Sequence, residues 1–324
     1  MQKTRTILAA TAMLIAGTAN VFAAGDHIEI KRNNWAFGSM FGQYDKAQLQ
    51  RGFQVYREVC SACHGINRLA FRNLVQKGGP EFPEDAVKAL AKEYEVTQPP
   101  DDAGEVKKGP AKLSDRFPSL FANDRAARAT HNGALPPDLS IMAKARGVSY
   151  GGTWYAHPYA MLKDIVGGYQ EGGADYLVAL MTGYGKPASY TQDDKGHLKP
   201  AAPGAAGAGV MQCVSSTHGE GGKPDECNKL ADGMHYNAAF PGHQIAMANP
   251  FDGHTADSPR VAYQDGTPGT IENYSKDVAA FLSWASDPSL NTRKQTGWLV
   301  LVYLLITSVL LYIAKRRIWS GVKH

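Results

Sequence analysis

Cys60-Ser61-Ala62-Cys63-His64 is the stretch on which the reading of this chain turns. Two thiols one helical turn apart, followed at once by an imidazole, form the C-x-x-C-H signature of covalent c-type haem attachment: the sulfurs reach the porphyrin vinyl groups and the imidazole faces the iron. A thioredoxin-type pair shares the two cysteines but needs a βαβ setting and has no use for the histidine. A zinc site needs a second ligand pair at matching spacing, which Cys213 and Cys227 do not supply. The motif implies one covalently attached haem c with His64 as proximal ligand.

Upstream, residues 45–58 read as a helix, with Leu49, Phe53 and Tyr56 at i, i+4 and i+7 on one apolar face. Gly52 lies beside that face; a helical glycine costs about 1 kcal/mol relative to alanine, so its place there predicts close approach by another element. The expected partner is a helix over 275–286, where Val278, Phe281, Leu282 and Ala285 keep helical spacing and Asp287-Pro288 ends the run. Packing of these two helices brings the chain ends together.

Further helices are expected over 84–94, 124–131, 139–146 (capped by Asp138) and 175–182, with a short one over 159–166. Residues 97–109 read as an exposed loop, and 147–173 as a glycine-rich aromatic loop. Residues 186–200 are polar, and 200–209 are nearly all Ala, Gly and Pro, a composition that cannot bury enough side chain to fix one conformation. Little strand alternation is visible, so few strands are expected. The fold class expected from these elements is therefore mainly α, a haem domain with long loops plus one C-terminal transmembrane helix.

The two chain ends set the location. Residues 1–24 combine Lys3 and Arg5, an apolar run from Ile7 to Ala16, and small residues at Ala23-Ala24, the plan of a secretory signal peptide over 1–23. Residues 295–314 are twenty without a charge, about 30 Å of helix and enough to span a bilayer. Trp298, Tyr312 and Trp319 sit near its ends, and Lys315-Arg316-Arg317 follows, which puts the C-terminus in the cytoplasm. The expected plan is signal peptide 1–23, periplasmic haem domain 24–290, membrane helix 295–314 and cytoplasmic tail 315–324, single-pass in a bacterial inner membrane.

Composition agrees with a globular chain: 324 residues, 44% hydrophobic and 20% charged. The formal charge of +4 comes from the ends. Without eight terminal basic residues, 26 Lys and Arg face 30 Asp and Glu, so the middle is mildly acidic and offers no nucleic-acid patch.

For the second face of the iron, no spacing rule selects a ligand. Met142, Met161 and Met181 lie on or near apolar helical faces, where methionine is more often core filling, and Met211 and Met234 lie in loop sequence. Met247 sits in a stiff segment between Pro241 and Pro250; His235, His243 and His254 are imidazole competitors. Cys213 and Cys227, fourteen apart and outside the cytoplasm, most simply pair as a disulfide.

Trp35-Ala36-Phe37-Gly38, Phe41-Gly42-Gln43-Tyr44-Asp45, residues 48–56, the haem motif, Gly133-Ala134-Leu135-Pro136-Pro137-Asp138-Leu139-Ser140, Leu180-Met181-Thr182-Gly183-Tyr184 and residues 240–247 occur in this order. Together they resemble the cytochrome c1 family, the haem subunits of the ubiquinol–cytochrome c oxidoreductase (cytochrome bc1) complex, over nearly the whole mature chain, and the resemblance implies an enlarged class I cytochrome c-like haem domain with long loops. The resemblance implies Cys60 and Cys63 as thioether positions, His64 and Met247 as axial ligands, Arg146 facing a haem propionate, Tyr176 near the haem, and Pro136 and Pro137 in the pocket wall. Arg125 and Arg128 are alternative propionate partners. Thr130-His131 departs from the family's Ala-Asn before Asn-Gly, which removes the expected polar haem contact there.

The implied function is a one-electron relay from a Rieske iron–sulfur protein to a soluble or anchored cytochrome c, beside cytochrome b in a dimeric complex. No bond-making catalysis is expected of this chain alone. Asp101-Asp102, Asp193-Asp194, Glu105 and Glu220 are candidates for steering a basic cytochrome c. The alternative class is a haem subunit of a periplasmic dehydrogenase, or a haem peroxidase with an open iron position.

Overall fold

The computed structural model describes residues 30–39, 41–100, 102, 104–146, 158–159, 161–162, 172–194, 197–201, 210–217, 226–255 and 257–321. The expected export signal, most of the 147–173 loop, residues 202–209 and the last three residues lie outside them, as do Asp101 and Glu220. Of the expected 159–166 helix only residues 159, 161 and 162 are described, and they are helical.

Asp45 starts α1 (Lys46–Val55) by accepting the Gln48 amide at 2.7 Å, which satisfies one of the open N–H groups of the helix end. A wider, π-type turn (Tyr56–Cys60) continues it straight into the C-x-x-C-H motif. α2 (Glu84–Ala91), α3 (Asp124–Thr130), α4 (Met142–Ala145) and α5 (Gly173–Thr182) follow, with β1 (Glu95–Thr97) and β2 (Lys108–Pro110) between α2 and α3. Beyond α5 come β3 (Ala188–Gln192), β4 (Leu198–Pro200), β5 (Val210–Cys213), β6 (Ser215–Thr217), β7 (Glu226–Asn228), β8 (His235–Tyr236) and β9 (Gln244–Ile245). The chain closes with α6 (Ile271–Ser286) and α7 (Leu290–Ile318).

Two expectations are corrected. The helix anticipated over 139–146 is only Met142–Ala145, and Asp138 does not cap it. The Asp138 carboxylate instead accepts the Asn67 amide at 2.7 Å and the Ser140 amide at 2.9 Å, while the Leu139 amide donates to the Gly65 carbonyl at 2.8 Å. Tying 138–140 to the stretch after His64 holds them out of the helix. Strands are also more numerous than anticipated: nine among the described residues, all two to five residues long and paired antiparallel. At that length alternation leaves no readable pattern, and the 97–109 loop proves to be the tip of the β1–β2 hairpin, with Glu95 opposite Pro110.

The core forms where α1 packs on α6, with α5 on the other flank of α6. Val278, Phe281 and Trp284 of α6 are fully buried, and the Phe281 ring packs at a tilt against Phe53 of α1 and Tyr56 of the π-type turn. Gly52 is where the helices touch: a Cβ there would collide with the Asp277 carbonyl oxygen and Phe281 Cβ. Arg51 stitches the same seam, its Nε donating to Asp277 Oδ2 and its Nη1 to Asp265 Oδ2, each at 2.8 Å. Gly52→Ala is therefore expected to lower stability by about 1–3 kcal/mol through overpacking. Thermal melts of wild type and variant check this, and identical midpoints would show that the seam gives way.

α7 has 29 residues, about 44 Å of helix. Its apolar stretch has mean hydropathy 2.3 and is 0% buried, and Lys315, Arg316 and Arg317 fill its last turn. Its first turn belongs to the globular domain. Leu290 is buried, Asn291 accepts the Tyr44 amide and donates to the Gly78 carbonyl, and Lys294 donates to the Phe37 and Ser39 carbonyls. The helix thus serves as a single-pass membrane anchor joined directly to the core.

Candidate functional site

The C-x-x-C-H motif leaves α1 on its last, widened turn, with the Cys63 and His64 amides both donating to the Cys60 carbonyl at 3.1 and 2.9 Å. That local helical winding places the two sulfurs one turn apart. Cys60 and Cys63 are free, partly buried thiols. Burial, with a smaller contribution from Cys63, pushes the Cys60 thiol up to about 12. A thiol so reluctant to ionise is the opposite of a thioredoxin-type nucleophile.

The His64 ring is oriented before any ligand is considered. Its Nδ1 lies 2.8 Å from the Pro137 carbonyl oxygen, an acceptor that fixes the proton on Nδ1 and leaves Nε2 with a free lone pair. Burial pushes the imidazole below its ordinary value, and nearby His131 adds to this against the opposing pull of the Pro137 hydrogen bond, so the ring favours its neutral, metal-ligating form. The Tyr56 hydroxyl donates to the His64 carbonyl at 3.0 Å, which pins the backbone from the other side. Pro136 is half-buried and Pro137 exposed, and both ride on the stretch that Leu139, Asp138 and Ser140 tie back to residues 65–68.

Arg146 closes α4 and is exposed. Gly173 admits the α4 backbone, since a Cβ on it would strike the Ala143 and Arg146 carbonyls, so α5 begins against the end of α4. Tyr176, one turn along α5, is buried; burial raises its phenol and the neighbouring Arg146 charge opposes that rise, so the two side chains share one locality. Arg128 instead donates to the Gly133 carbonyl at 2.9 Å, and His131 Nδ1 lies 2.8 Å from the Ala127 carbonyl oxygen.

Met247 is half-buried, just past β9. Its carbonyl accepts the Tyr184 hydroxyl at 3.0 Å. Among the described residues no hydrogen bond joins this segment to residues 60–64, so the two candidate axial ligands arrive on separate parts of the chain. Of the other methionines, Met181 is buried in the core, Met142 packs against it and Met161 is exposed. Cys213 and Cys227 are joined as a disulfide with a Cα–Cα distance of 5.2 Å, linking β5 to β7. Two of the acidic candidates are engaged, Glu105 with Lys107 and Asp193 with Lys199.

Sequence reasoning missed Asp175, Asn237 and Tyr184 as organisers. Asp175, fully buried in α5, accepts the Asn33 amide at 2.8 Å and the Trp35 indole N–H at 2.9 Å, which seats the N-terminal segment against the site. Asn237, also fully buried, donates to the Leu180 carbonyl at 2.7 Å. A charged residue in the middle of the apolar 174–178 run was the only signal available for the first.

The donor set fits a porphyrin-held iron. Two free cysteines stand beside one imidazole whose Nδ1 is taken by the Pro137 carbonyl, and among the described residues no three His, Cys, Asp or Glu side chains converge as a bare-metal site would require. Such a motif on a helical domain with one membrane-length helix defines a membrane-anchored c-type cytochrome. The profile of the cytochrome C1 family matches residues 35–322. Cytochrome c1 of Blastochloris viridis is 42% identical over 90% of this chain and 86% of its own length, and that of Rhodospirillum rubrum 35% identical over 98% and 97%. The cytochrome b/c1 of Bradyrhizobium diazoefficiens is 37% identical over 89% of this chain, which spans only 35% of that longer protein. A Candida albicans relative at 36% identity is named as the catalytic subunit of the mitochondrial cytochrome b-c1 complex. This chain belongs to the cytochrome c1 family, and its role is haem-based electron transfer with one covalently attached haem c.

Proposed function

We propose that this chain relays single electrons from a Rieske iron–sulfur protein to a soluble or anchored cytochrome c within ubiquinol–cytochrome c oxidoreductase, seated beside cytochrome b in a dimeric complex. In this reading Cys60 and Cys63 would carry the haem through thioethers, His64 Nε2 and the Met247 sulfur would ligate its iron, and Arg146 would pair with a propionate, with Tyr176 beside it. Pro136 and Pro137 wall the proximal side. When bound, the haem supplies a one-electron iron couple, and thioether with imidazole ligation favours its reduced state. The protein's own part is to hold and tune: Pro137 orients His64, burial keeps the imidazole neutral, and the packed α1–α6 seam fixes the motif.

The orientation of His64 by the Pro137 carbonyl carries this reading, because it prepares one nitrogen for a metal and uses up the other. The membrane placement rests on the ends of the chain: signal 1–23 removed, haem domain 24–290 in the periplasm, helix 295–314 across a bacterial inner membrane and tail 315–324 in the cytoplasm. Basic residues at the far end of α7 support that sidedness. Purification from detergent-solubilised membranes is expected to bring down a b-type haem protein and an iron–sulfur protein with this chain. Recovery as a lone cytochrome would count against the complex, and carbon monoxide binding by the native protein would favour the peroxidase class.

A further inference from the structure

The chain between α5 and Met247 is closed by a small clamp that the resemblance did not supply. Leaving α5, Gly183 and Tyr184 meet the backbone of 237–239: Tyr184 forms a bridge with Asn237, and the Ala238 amide donates to the Gly183 carbonyl at 2.9 Å. A Cβ on Gly183 would press on Asn237 Oδ1 and the Ala239 nitrogen, so the approach is close. Asn237 secures the near side through Leu180 and Ala239. From there the β8–β9 ribbon carries the chain on, with His235 opposite Ile245 and Tyr236 opposite Gln244. Two residues past the ribbon the Tyr184 hydroxyl reaches the Met247 carbonyl at 3.0 Å.

We propose that Tyr184 is a positioning residue for the distal iron ligand: its hydroxyl holds the Met247 backbone at the end of the β8–β9 ribbon, so that the thioether is presented at fixed reach. This rests on the assignment of Met247 as axial ligand. The Met247 side chain has three rotatable bonds and its own segment is only half-buried, so side-chain packing alone leaves its position loose. A hydroxyl anchored on the rigid end of α5 removes that freedom at the backbone.

The test is the full-length, haem-loaded protein carrying Tyr184→Phe, titrated in the ferric state with imidazole, which competes with the sulfur for iron. Loss of one hydrogen bond is expected to raise the imidazole association constant roughly three- to tenfold, with a weaker sulfur-to-iron charge-transfer band and a lower midpoint potential. Asn291→Ala is the control for general loosening. It removes the hydrogen bonds to Tyr44 and Gly78 at the base of the anchor, and should leave the imidazole constant unchanged. An unchanged constant and potential in Tyr184→Phe, or an equal rise in Asn291→Ala, overturns the proposal. Met247→Leu separates the two ideas: if it keeps the sulfur-to-iron band, the ligand assignment itself is wrong; if it loses the band while Tyr184→Phe is silent, only the clamp is.

Discussion

Met247→Leu is expected, on the proposed ligation, to leave the haem attached while lowering its reduction potential. Leucine matches methionine in volume, so the fold should lose less than about 1.5 kcal/mol, and the neighbouring Ile245 and Phe251 stay buried as before. On the same proposal attachment rests on Cys60 and Cys63, at and just past the end of the π-type turn that follows α1, which Met247 does not touch through any hydrogen bond among the described residues. What leucine lacks is the sulfur. Axial ligands tune haem potentials over a range of about 0.8 V, and exchanging a thioether for an open position should lower the midpoint by on the order of hundreds of millivolts. The ferrous protein should then bind carbon monoxide, and electron delivery from a quinol-linked donor should fall steeply because the step becomes uphill. Redox titration and carbon monoxide difference spectra check this. A variant that keeps its band and its potential would move the distal ligand to another residue.

What the sequence revealed follows the range of the interactions concerned. α1 and α6 were readable because their signals are local: Asp45 caps, the apolar spacing is helical, and Gly52 marks the contact that the Asp277 carbonyl makes. The haem motif was readable for the same reason, its three reactive groups lying within five residues. Asp138 misled because its carboxylate had two possible uses. A cap for the next helix is the use that local sequence suggests, but the amide of Asn67, 71 residues away, takes it. The Pro137 acceptor for His64 and the Asp175 acceptor for Trp35 also lie far off in sequence, 73 and 140 residues, and no pattern announces them. The short strands escaped for a different reason: two to five residues hold too little alternation to read.

The second large effect concerns that disulfide. The Cys213–Cys227 bond joins β5 to β7 and spans a sequence separation of 14. Closing a loop of about 15 residues is worth about 3 kcal/mol through the entropy of the open chain. The segment that follows leads to Met247: the Ala231 amide donates to Gln244 Oε1 at 2.8 Å, and Gln244 begins the strand that ends two residues before the methionine. Freeing β7 should therefore loosen the ribbon as well as the loop. The double variant Cys213→Ser/Cys227→Ser, which avoids leaving a lone thiol, is expected to lower the melting midpoint, weaken the sulfur-to-iron band and depress the potential, with dithiothreitol treatment of the native protein reproducing all three. Loss of stability with ligation and potential intact would mean that the bond serves the loop alone. In that case the Tyr184 and Asn237 contacts hold Met247 without help from the disulfide, and Tyr184→Phe should have the same effect in the reduced protein as in the oxidised one.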